Sequence, residues 1–540
     1  MGQTIMDEPA ARRREDWLVF VCALLLNLVT VWYVVFRIEL FQIDAMARTL
    51  RAWLVFFSSE PKLANMGFVW LPLPTLLQLP LILIPALRYR GIAGNLLTAF
   101  AGAGATTVVN AMARKLDIKS PGRQLFVAAF ALNPMIALYS ANGMSEILAV
   151  FFLLLSFHSY LRWQSHGRAA PIIEMGLICA AWFLTRYESL LFAAAYLVMI
   201  LVAMLREHAR YAKLEATALL YGTPIAASVI LWLGVNWAIM GDPLCFSSGP
   251  YSPGAEAPIL FMGTAELLPV KTSLQGAWRL FVDITSLVSP TLFPATILLA
   301  LAALRKWDLS TLTVVLLPLA FLTSVILNFR YGFPLTAVRY YILSIPLALI
   351  AMLAAAAQLG PRRWLSAILA LLCIASIPST MSAMQTEKEG IEDHYFIDAL
   401  LGRDVSPPWP EDKAIAAYIV SHVQGREVLM DPREGSNVIF FTGEPALFAL
   451  PSDSDFDEVL ANPQESVSYI LAPNTEASQS LNQVLYAYPE LAFEDHLGWA
   501  ELEYDVGSLR LYRVLASPTS FDTHEASHKL HPPTSTQSER

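Results

Sequence analysis

Long apolar runs alternate with short polar segments through roughly the first 380 residues. Eleven of the runs approach the ~20 residues that a helix needs to cross a bilayer. They occupy residues 17–36, 92–112, 125–140, 147–161, 171–185, 189–205, 214–240, 287–304, 311–328, 338–356 and 364–380. The pattern therefore predicts a polytopic α-helical membrane protein with about eleven transmembrane helices.

One further apolar run, residues 69–87, contains Pro72, Pro74, Pro80 and Pro85. Because each proline removes a backbone donor, we predict that this run re-enters the membrane or lies along its surface. With eleven spans, the short basic loops then share the side of the N-terminus, at residues 12–14, 114–123, 162–168, 206–213, 305–306 and 362–363. Short basic loops stay in the cytoplasm, so the N-terminus is predicted inside and the C-terminus outside.

Beyond about residue 385 the apolar runs become short. Residues 427–430, 438–441, 467–471 and 509–514 predict strands, and residues 411–424 and 476–487 predict helices. The predicted organisation is a cytoplasmic N-terminus (1–16), a membrane domain (17–384) with outer loops at 37–91 and 241–286, a small extracytoplasmic α/β domain (385–515) and a disordered tail (516–540).

Composition supports the membrane assignment and limits the chemistry. The 540 residues are 56% hydrophobic and 15% charged, which is too apolar for one soluble core. The net charge of −9 comes largely from acids after residue 385, so it says little about ligands, and no nucleic-acid partner is predicted. Only Cys245 of the four cysteines lies in a polar loop, and the sequence has no zinc-type spacing.

Asp44 and Arg48 stand four residues apart at the start of the first outer loop, so on a helix they share one face. A carboxylate there could deprotonate an acceptor hydroxyl while a nearby base holds phosphate. The same spacing is more commonly that of a simple i,i+4 ion pair. Both interpretations stay open.

A second polar cluster lies between two spans and contains Tyr139, Asn142 and Glu146. Glu146 stands at the membrane boundary, where an unpaired carboxylate is costly and usually functional. An acid at a helix N-terminus is also favoured by electrostatics alone, with Ser145 or Asn142 as the cap.

A third cluster, Arg186-Tyr187-Glu188, leaves hardly any loop between two apolar runs. Arg186 could bind a lipid-linked phosphate with two hydrogen bonds, or it could simply neutralise Glu188. Arg339, beside two tyrosines at the outer edge, is a further candidate for substrate binding. Its alternative is an aromatic belt with a snorkelling arginine.

These features together resemble the GT-C glycosyltransferase superfamily, in particular the branch with protein O-mannosyltransferases and lipid A aminoarabinose transferases. Its members have a long outer loop after the first span with an acid soon after it, and a second acid in a short outer loop. Asp44 in Ile43-Asp44-Ala45-Met46-Ala47-Arg48 matches the first acid and Glu146 the second. Further matches are Asn133-Pro134, Tyr139-Ser140 and the position of Arg186.

The resemblance is good over residues 17–205 and loose in the rest of the bundle. Leu71-Pro72-Leu73-Pro74 stands where many relatives have His-Pro-Pro, which leaves the donor headgroup open. The resemblance implies transfer of a sugar from a polyprenyl-phosphate donor to a lipid, glycan or protein acceptor at the outer face of a cell membrane, most commonly the bacterial plasma membrane.

The resemblance also implies roles for individual residues. Asp44 is expected to act as general base in an inverting displacement, with Arg186 stabilising the phosphate. The substrate-binding expectation covers Glu146, Arg48, Asn142, Tyr139, Arg186, Tyr187, Glu188 and Arg339. No cofactor is expected; a divalent cation near Asp44 and Glu146 is an alternative. The rival class is a transporter or lipid flippase that uses the same acids for an ion or headgroup.

Overall fold

The computed structural model describes residues 7–249, 252, 255, 273–330, 336–360, 362–386, 390–405, 409–475 and 481–515. The chain forms two compact units. The first contains residues 1–55 and 63–408, and the second contains residues 56–62 and 409–540. The second unit thus includes a short piece of the first outer loop, and its C-terminal part starts at Trp409, whereas the sequence pattern predicted a start at 385.

Eight helices within the described residues are long and apolar enough to cross a membrane. They are Arg12–Arg37, Ile92–Lys115, Glu146–His166, Ser189–Arg206, Tyr211–Met240, Thr313–Arg330, Val338–Leu359 and Arg363–Gln385. Each coincides with a predicted span, and the chain is a multi-pass membrane protein.

Some of these eight combine adjoining segments. The first is the α-helix Asp7–Trp32 continued by a π-helical turn, Tyr33–Arg37. Short 3₁₀ turns open two others, and the last consists of Arg363–Ala375 and Ile377–Gln385. The remaining helices of this unit are Ile43–Phe57, Leu63–Met66, Leu73–Ile82, Pro85–Arg88, Tyr89–Gly91, Gly122–Ala131, Pro134–Tyr139, Ala170–Phe183, Cys245–Ser248, Leu274–Val288, Leu292–Arg305, Leu309–Leu312 and Asp393–Leu400.

Three predicted spans have a different form in the structure. Residues 125–140 break into Gly122–Ala131 and Pro134–Tyr139, because the Asn133 carboxamide oxygen accepts hydrogen bonds from Met135 N (3.1 Å) and Ile136 N (3.4 Å) and starts a new helix. Residues 171–185 form a helix of 14 residues. Residues 287–304 fall on two helices, Leu274–Val288 and Leu292–Arg305, that meet at 95°. The number eleven therefore stays a prediction.

The proline-rich run at 69–87 forms only short helices. Leu73–Ile82 has 10 residues with Pro80 inside, and Pro85–Arg88 has four. The backbone N–H of Leu73 donates to the carbonyl oxygen of Leu184 at 2.9 Å, which ties this run to the loop that holds Arg186.

The second unit contains one six-stranded sheet in the order β2-β1-β3-β6-β5-β4. The strands are β1 (Val428–Met430), β2 (Phe448–Ala449), β3 (Tyr469–Pro473), β4 (His496–Leu497), β5 (Ala500–Val506) and β6 (Leu509–Val514). Strands β1, β2 and β3 are parallel, and the other pairings are antiparallel. Its helices are Pro410–His422, Pro432–Thr442, Pro445–Leu447, Phe456–Ala461, Pro463–Ser466, Gln483–Ala487 and Pro489–Ala492.

The strand predicted at 438–441 is wrong, because these residues lie in the helix Pro432–Thr442. Asp431 caps that helix by accepting a hydrogen bond from Arg433 N at 3.0 Å, and Pro432 suits a first helical position. Of the helix predicted at 476–487, Gln483–Ala487 is helical, and residues 476–480 lie outside the described residues. So does the predicted tail at 516–540.

The outer-loop piece at residues 56–62 is hydrogen-bonded within the second unit. The Glu60 carboxylate accepts from the backbone N–H of Ser454 (3.0 Å) and from its hydroxyl (2.6 Å). The Ser59 hydroxyl donates to Asp453 at 3.1 Å, and Arg426 binds the same Asp453 carboxylate at 2.8 Å. These contacts explain why a segment so distant in sequence belongs to this unit.

Candidate functional site

The helix Ile43–Phe57 carries the first two candidate residues. Its buried positions, which include Met46, Leu50, Trp53 and Leu54, follow the helical period and fix it against the first unit. Asp44 lies in its first turn, where a carboxylate is favoured by the exposed backbone N–H groups. Packing of these positions fixes the body of the helix at whose start Asp44 lies.

Asp44 pairs with Arg339 and not with Arg48. Its Oδ2 lies 2.9 Å from Arg339 Nη2, and the Asp44 side chain is 35% exposed. Arg339 also lies over the ring of Tyr340 at 5.1 Å. The simple i,i+4 ion pair suggested by the sequence is not found within the described residues, and Arg339, from a distant part of the chain, is the partner of the Asp44 carboxylate. Arg339 is likewise more than a snorkelling residue of an aromatic belt.

Arg48 is buried without a full set of partners. Its guanidinium lies 4.9 Å from the ring centre of Trp70, and Nε and Nη1 are both buried and make no hydrogen bond within the described residues. Burial lowers the pKa of Arg48 to about 10, and the nearby carboxylates of Glu146 and Asp44 oppose this shift. Arg48 is therefore charged near neutral pH, with N–H donors available for an anion. A buried cation with unsatisfied N–H donors is costly.

Glu146 begins the helix Glu146–His166 and is 3% exposed. Its Oε1 lies 2.9 Å from Arg186 Nη1, while Oε2 is buried and has no hydrogen-bond partner within the described residues. Ser145 makes no side-chain cap to this helix. Arg186 also pairs with Glu188 through Nε, so this arginine lies between two carboxylates. The ion pair between Arg186 and Glu188 that the sequence suggested is thus present, and Arg186 forms a second ion pair with Glu146.

Tyr139 and Asn142 belong to a buried hydrogen-bond network. The Tyr139 hydroxyl donates to Asp393 Oδ1 at 3.0 Å, and Gln42 Nε2 donates to the same oxygen at 3.1 Å. The Asn142 amide in turn donates to Gln42 Oε1. Neither candidate stands alone as a free ligand donor; both hold the segment that leads to Asp44.

Tyr187 lies apart from these charges. Its ring stacks on Phe246 with centroids 5.1 Å apart, and its hydroxyl accepts a hydrogen bond from Trp232 Nε1 at 3.2 Å. The structure therefore places Tyr187 in an aromatic cluster, although its neighbours Arg186 and Glu188 join the charged one.

Glu392 and Asp393 are site residues that the sequence reasoning missed. Glu392 accepts a hydrogen bond from the backbone N–H of Ile43 at 2.9 Å. Burial raises the pKa of Glu392 to about 7 and that of Asp393 to about 7. The only sequence signal was an acidic pair soon after the last apolar run, where the start of the soluble domain had been predicted.

A cavity of about 140 Å³ lies beside Asp44. It is lined by Gln42, Ile43, Asp44, Tyr139, Ala337, Arg339, Gly390, Ile391, Glu392 and Asp393. The buried Arg48 and Glu146 form a second group with the partly buried Arg186 and Glu188, and Arg48 interacts electrostatically with Asp44. The site thus combines a partly exposed acid on a polar cavity with a buried cation that has donors to spare.

The sequence matches no family model and no curated protein. Its fold does match solved structures. ArnT from Cupriavidus metallidurans in the apo state matches with a TM-score of 0.54 at 13% identity, over 94% of this chain and 100% of that chain. ArnT bound to undecaprenyl phosphate matches with a TM-score of 0.52 at 12% identity, over 93% and 99%. The archaeal oligosaccharyltransferase AglB from Archaeoglobus fulgidus has a TM-score of 0.48 at 12% identity, over 94% and 75%.

These matches show the fold. The fold of this chain is similar to that of ArnT over nearly the whole length of both proteins. The resemblance found in the sequence motifs of residues 17–205 is therefore confirmed at the level of the fold.

Proposed function

We propose that the protein is a membrane glycosyltransferase that moves a sugar from a polyprenyl-phosphate donor to an acceptor hydroxyl at the outer face of the membrane. The observation that carries this proposal is that Asp44, partly exposed on a polar cavity, lies near the buried Arg48, whose Nε and Nη1 have no hydrogen-bond partner within the described residues. A base for the acceptor and a cation for the leaving phosphate are the two groups that such a transfer needs.

The phosphate of the donor would bind the arginines. Arg48 offers unused N–H donors, and Arg186 is held between Glu146 and Glu188 in a fixed place. Planar guanidinium groups suit the oxygens of a phosphate, and the buried setting strengthens the attraction. That ArnT was crystallised with undecaprenyl phosphate supports the choice of a lipid phosphate as the ligand class.

Asp44 would remove the proton from the acceptor hydroxyl. The acceptor oxygen forms its bond to the anomeric carbon, the bond from that carbon to the phosphate oxygen breaks, and the phosphate leaves with the electron pair. A single displacement of this kind inverts the anomeric centre. Arg339 contacts Oδ2 of Asp44 at 2.9 Å and orients the carboxylate for this step.

The remaining candidates would act on these groups. Glu146 and Glu188 hold Arg186, while Tyr139 and Asn142 act through the network that precedes Asp44. We place the N-terminus in the cytoplasm, the C-terminal α/β unit outside, and the protein in a bacterial plasma membrane. A lipid, a glycan or a protein hydroxyl fits the acceptor role.

A transfer assay with the purified full-length protein tests the proposal. Radiolabelled polyprenyl-phosphate sugars are offered with detergent-solubilised lipid, glycan and peptide acceptors, with and without EDTA. Label in an acceptor supports the proposal, and equal transfer with EDTA supports phosphate stabilisation by arginine. If no donor is consumed while vesicles containing the protein move labelled ion or lipid across the bilayer, the transporter interpretation replaces it.

A further inference from the structure

Two acids that follow the last candidate span, Glu392 and Asp393, accept hydrogen bonds from the residues that precede Asp44. Glu392 accepts from the backbone N–H of Ile43 at 2.9 Å, and Asp393 accepts from Gln42 Nε2 at 3.1 Å. Gln42 and Ile43 are the two residues that precede Asp44 in the chain. The acidic pair therefore contacts both a backbone N–H and a side chain of the two residues that precede the proposed base.

Asp393 accepts hydrogen bonds from two separate parts of the chain, from Gln42 and from Tyr139. The hydroxyl of Tyr139, at the end of the helix Pro134–Tyr139, donates to its Oδ1 at 3.0 Å and lies 3.2 Å from Oδ2. Asp393 is 4% exposed and Tyr139 is fully buried. Since buried hydrogen bonds to a charged acceptor are strong and directional, this junction leaves little freedom to Gln42.

Ile43 is the first residue of its helix, so its N–H has no acceptor within the helix. Such N–H groups are usually satisfied by a side chain just before the helix. Here the acceptor is Glu392, which is supplied from a distant part of the chain. The start of the helix, and with it the position of Asp44 one residue further on, depends on that contact.

We infer that Glu392 and Asp393 are positioning residues that lock the start of the helix Ile43–Phe57 and thereby set the place of the Asp44 carboxylate. The inference rests on the proposed function only where transfer is the readout. Small displacements of a reacting group are costly, since about 1 Å can lower a rate by roughly 100-fold.

The hydrogen bonds that Glu392 and Asp393 accept from Ile43 and Gln42, called the lock below, depend on pH. Burial raises the pKa of each acid to about 7. For Glu392, the Ile43 N–H and Arg339 favour the charged form, while Asp44 and Glu146 oppose it. For Asp393, Tyr139 and Arg339 favour the charged form, while Glu392 and Glu146 oppose it. Each acid loses its proton as the pH rises through about 7, and the charged form is the stronger acceptor.

The test uses the purified full-length protein with the variants Glu392→Ala, Glu392→Gln and Asp393→Asn. Asp398→Asn is the matched control, because Asp398 lies on the same helix and pairs with Arg403. Turnover is measured from about pH 5 to about pH 9. Hydrogen–deuterium exchange of a peptide spanning residues 42–47 is measured on the same samples without substrate.

We expect Glu392→Ala to speed amide exchange at 42–47 and to lower kcat by about 10- to 100-fold, with a smaller change in KM. Glu392→Gln, which still accepts a hydrogen bond but does not titrate, should regain most of the rate. Glu392→Gln and Asp393→Asn should each weaken the rise in rate near pH 7, and Asp398→Asn should match the wild type.

Unchanged exchange at 42–47 in Glu392→Ala would overturn the inference, as would a pH profile that Glu392→Gln and Asp393→Asn leave untouched. Failure of the proposed function looks different. In that case the wild type transfers no sugar to any acceptor, while the exchange measurement still reports on the lock.

Discussion

Asp44 Oδ2 and Arg339 Nη2 lie 2.9 Å apart, although Asp44 lies in the first turn of the helix Ile43–Phe57 and Arg339 lies at the start of Val338–Leu359. The contact engages one carboxylate oxygen, and no contact to Oδ1 is found within the described residues. In the proposed mechanism, the acceptor hydroxyl would therefore reach Oδ1 without breaking the ion pair. The relationship makes Asp44 the residue whose replacement tests the proposed chemistry most directly.

Asp44→Asn should abolish sugar transfer and leave expression and donor binding largely intact. The change keeps the shape of the side chain and removes its ability to take a proton, and loss of a general base typically costs ~10²- to 10⁴-fold in rate. The broken ion pair should cost about 1 kcal/mol of unfolding free energy or less. Single-turnover rates and thermal unfolding of the purified variant measure the two effects.

Asp242→Asn is the control for that substitution. Asp242 is an acid of the second predicted outer loop, and its carboxylate accepts from Leu244 N at 2.8 Å and from the Ser248 hydroxyl at 3.0 Å, both within the same turn. Transfer should be unaffected. Near-normal transfer by Asp44→Asn would move the role of base to Glu146 or to Glu39, the acid five residues before Asp44.

Arg48→Met should weaken donor binding by about 10- to 100-fold, the loss expected for one or two hydrogen bonds to a charged group. Thermal stability should stay the same or rise, since the change removes a buried charge whose Nε and Nη1 have no hydrogen-bond partner within the described residues. Arg51→Met is the matched control, because Arg51 lies over the same Trp70 ring at 4.7 Å. Titration of each variant with a polyprenyl phosphate measures its affinity and distinguishes Arg48→Met from Arg51→Met. Equal affinity in both variants would remove Arg48 from the phosphate site.

Arg186→Ala should behave differently from Arg48→Met. It leaves the buried Glu146 and its neighbour Glu188 without their partner, which should lower the unfolding free energy by about 3 kcal/mol. Donor affinity and rate should fall together, because phosphate is present in both ground and transition states.

A second variant separates stability from binding at Arg186. Arg186→Gln combined with Glu146→Gln removes one charge of each sign and should recover much of the stability without recovering transfer. Glu146→Gln alone should give a smaller loss of transfer than Asp44→Asn. Full recovery of transfer in the double variant would show that Arg186 serves only to neutralise Glu146.

Gly143→Ala should impair transfer through local geometry. Gly143 has φ of +82°, and an added Cβ would lie 3.4 Å from the Cβ of Ala45, next to Asp44. Gly167→Ala is a matched control, since Gly167 has φ of +61° with nothing within 4 Å of an added Cβ. Both variants should lose about 1–2 kcal/mol of stability from backbone strain. Only Gly143→Ala should also lower kcat; equal rates would exclude an effect on Asp44.

A tag placed after residue 520 should be reachable from the extracytoplasmic side, and one within residues 114–123 should not. Arg114, Lys115, Lys119 and Arg123 line one cavity with Arg12, so the basic residues assigned to the cytoplasm come together. Impermeant labelling of single-cysteine variants in whole cells measures this. Labelling of 114–123 from outside would reverse the predicted orientation.

The sequence predicted elements far better than it predicted contacts. Continuous apolar runs located eight helices of spanning length, because burial in lipid needs nothing more than length and hydrophobicity. Breaks inside a run were missed at Asn133, where one side-chain cap outweighs the apolar pattern. The helix Pro432–Thr442 was misread for the same reason, with Asp431 as the cap.

The candidate site was predicted only in part. Asp44, Arg48 and Glu146 stand out because charge beside an apolar run is unusual. The partner of Asp44 could not be inferred, since Arg339 reaches it only through the fold. Glu392 and Asp393 gave only a weak signal, an acidic pair after the last apolar run, because acids in a polar segment are common and only the fold shows that these two are buried.

The outer-loop piece at 56–62 makes the second unit a composite of two chain segments. Ser59 and Glu60 supply hydrogen bonds to Asp453 and Ser454 that a fragment beginning at residue 409 would lack. Recombination at a single crossover therefore cannot transplant this unit intact between proteins. Lineages that swap or shed their C-terminal appendages would have to rebuild the outer loop in the same step, so loop and appendage should be inherited as a pair.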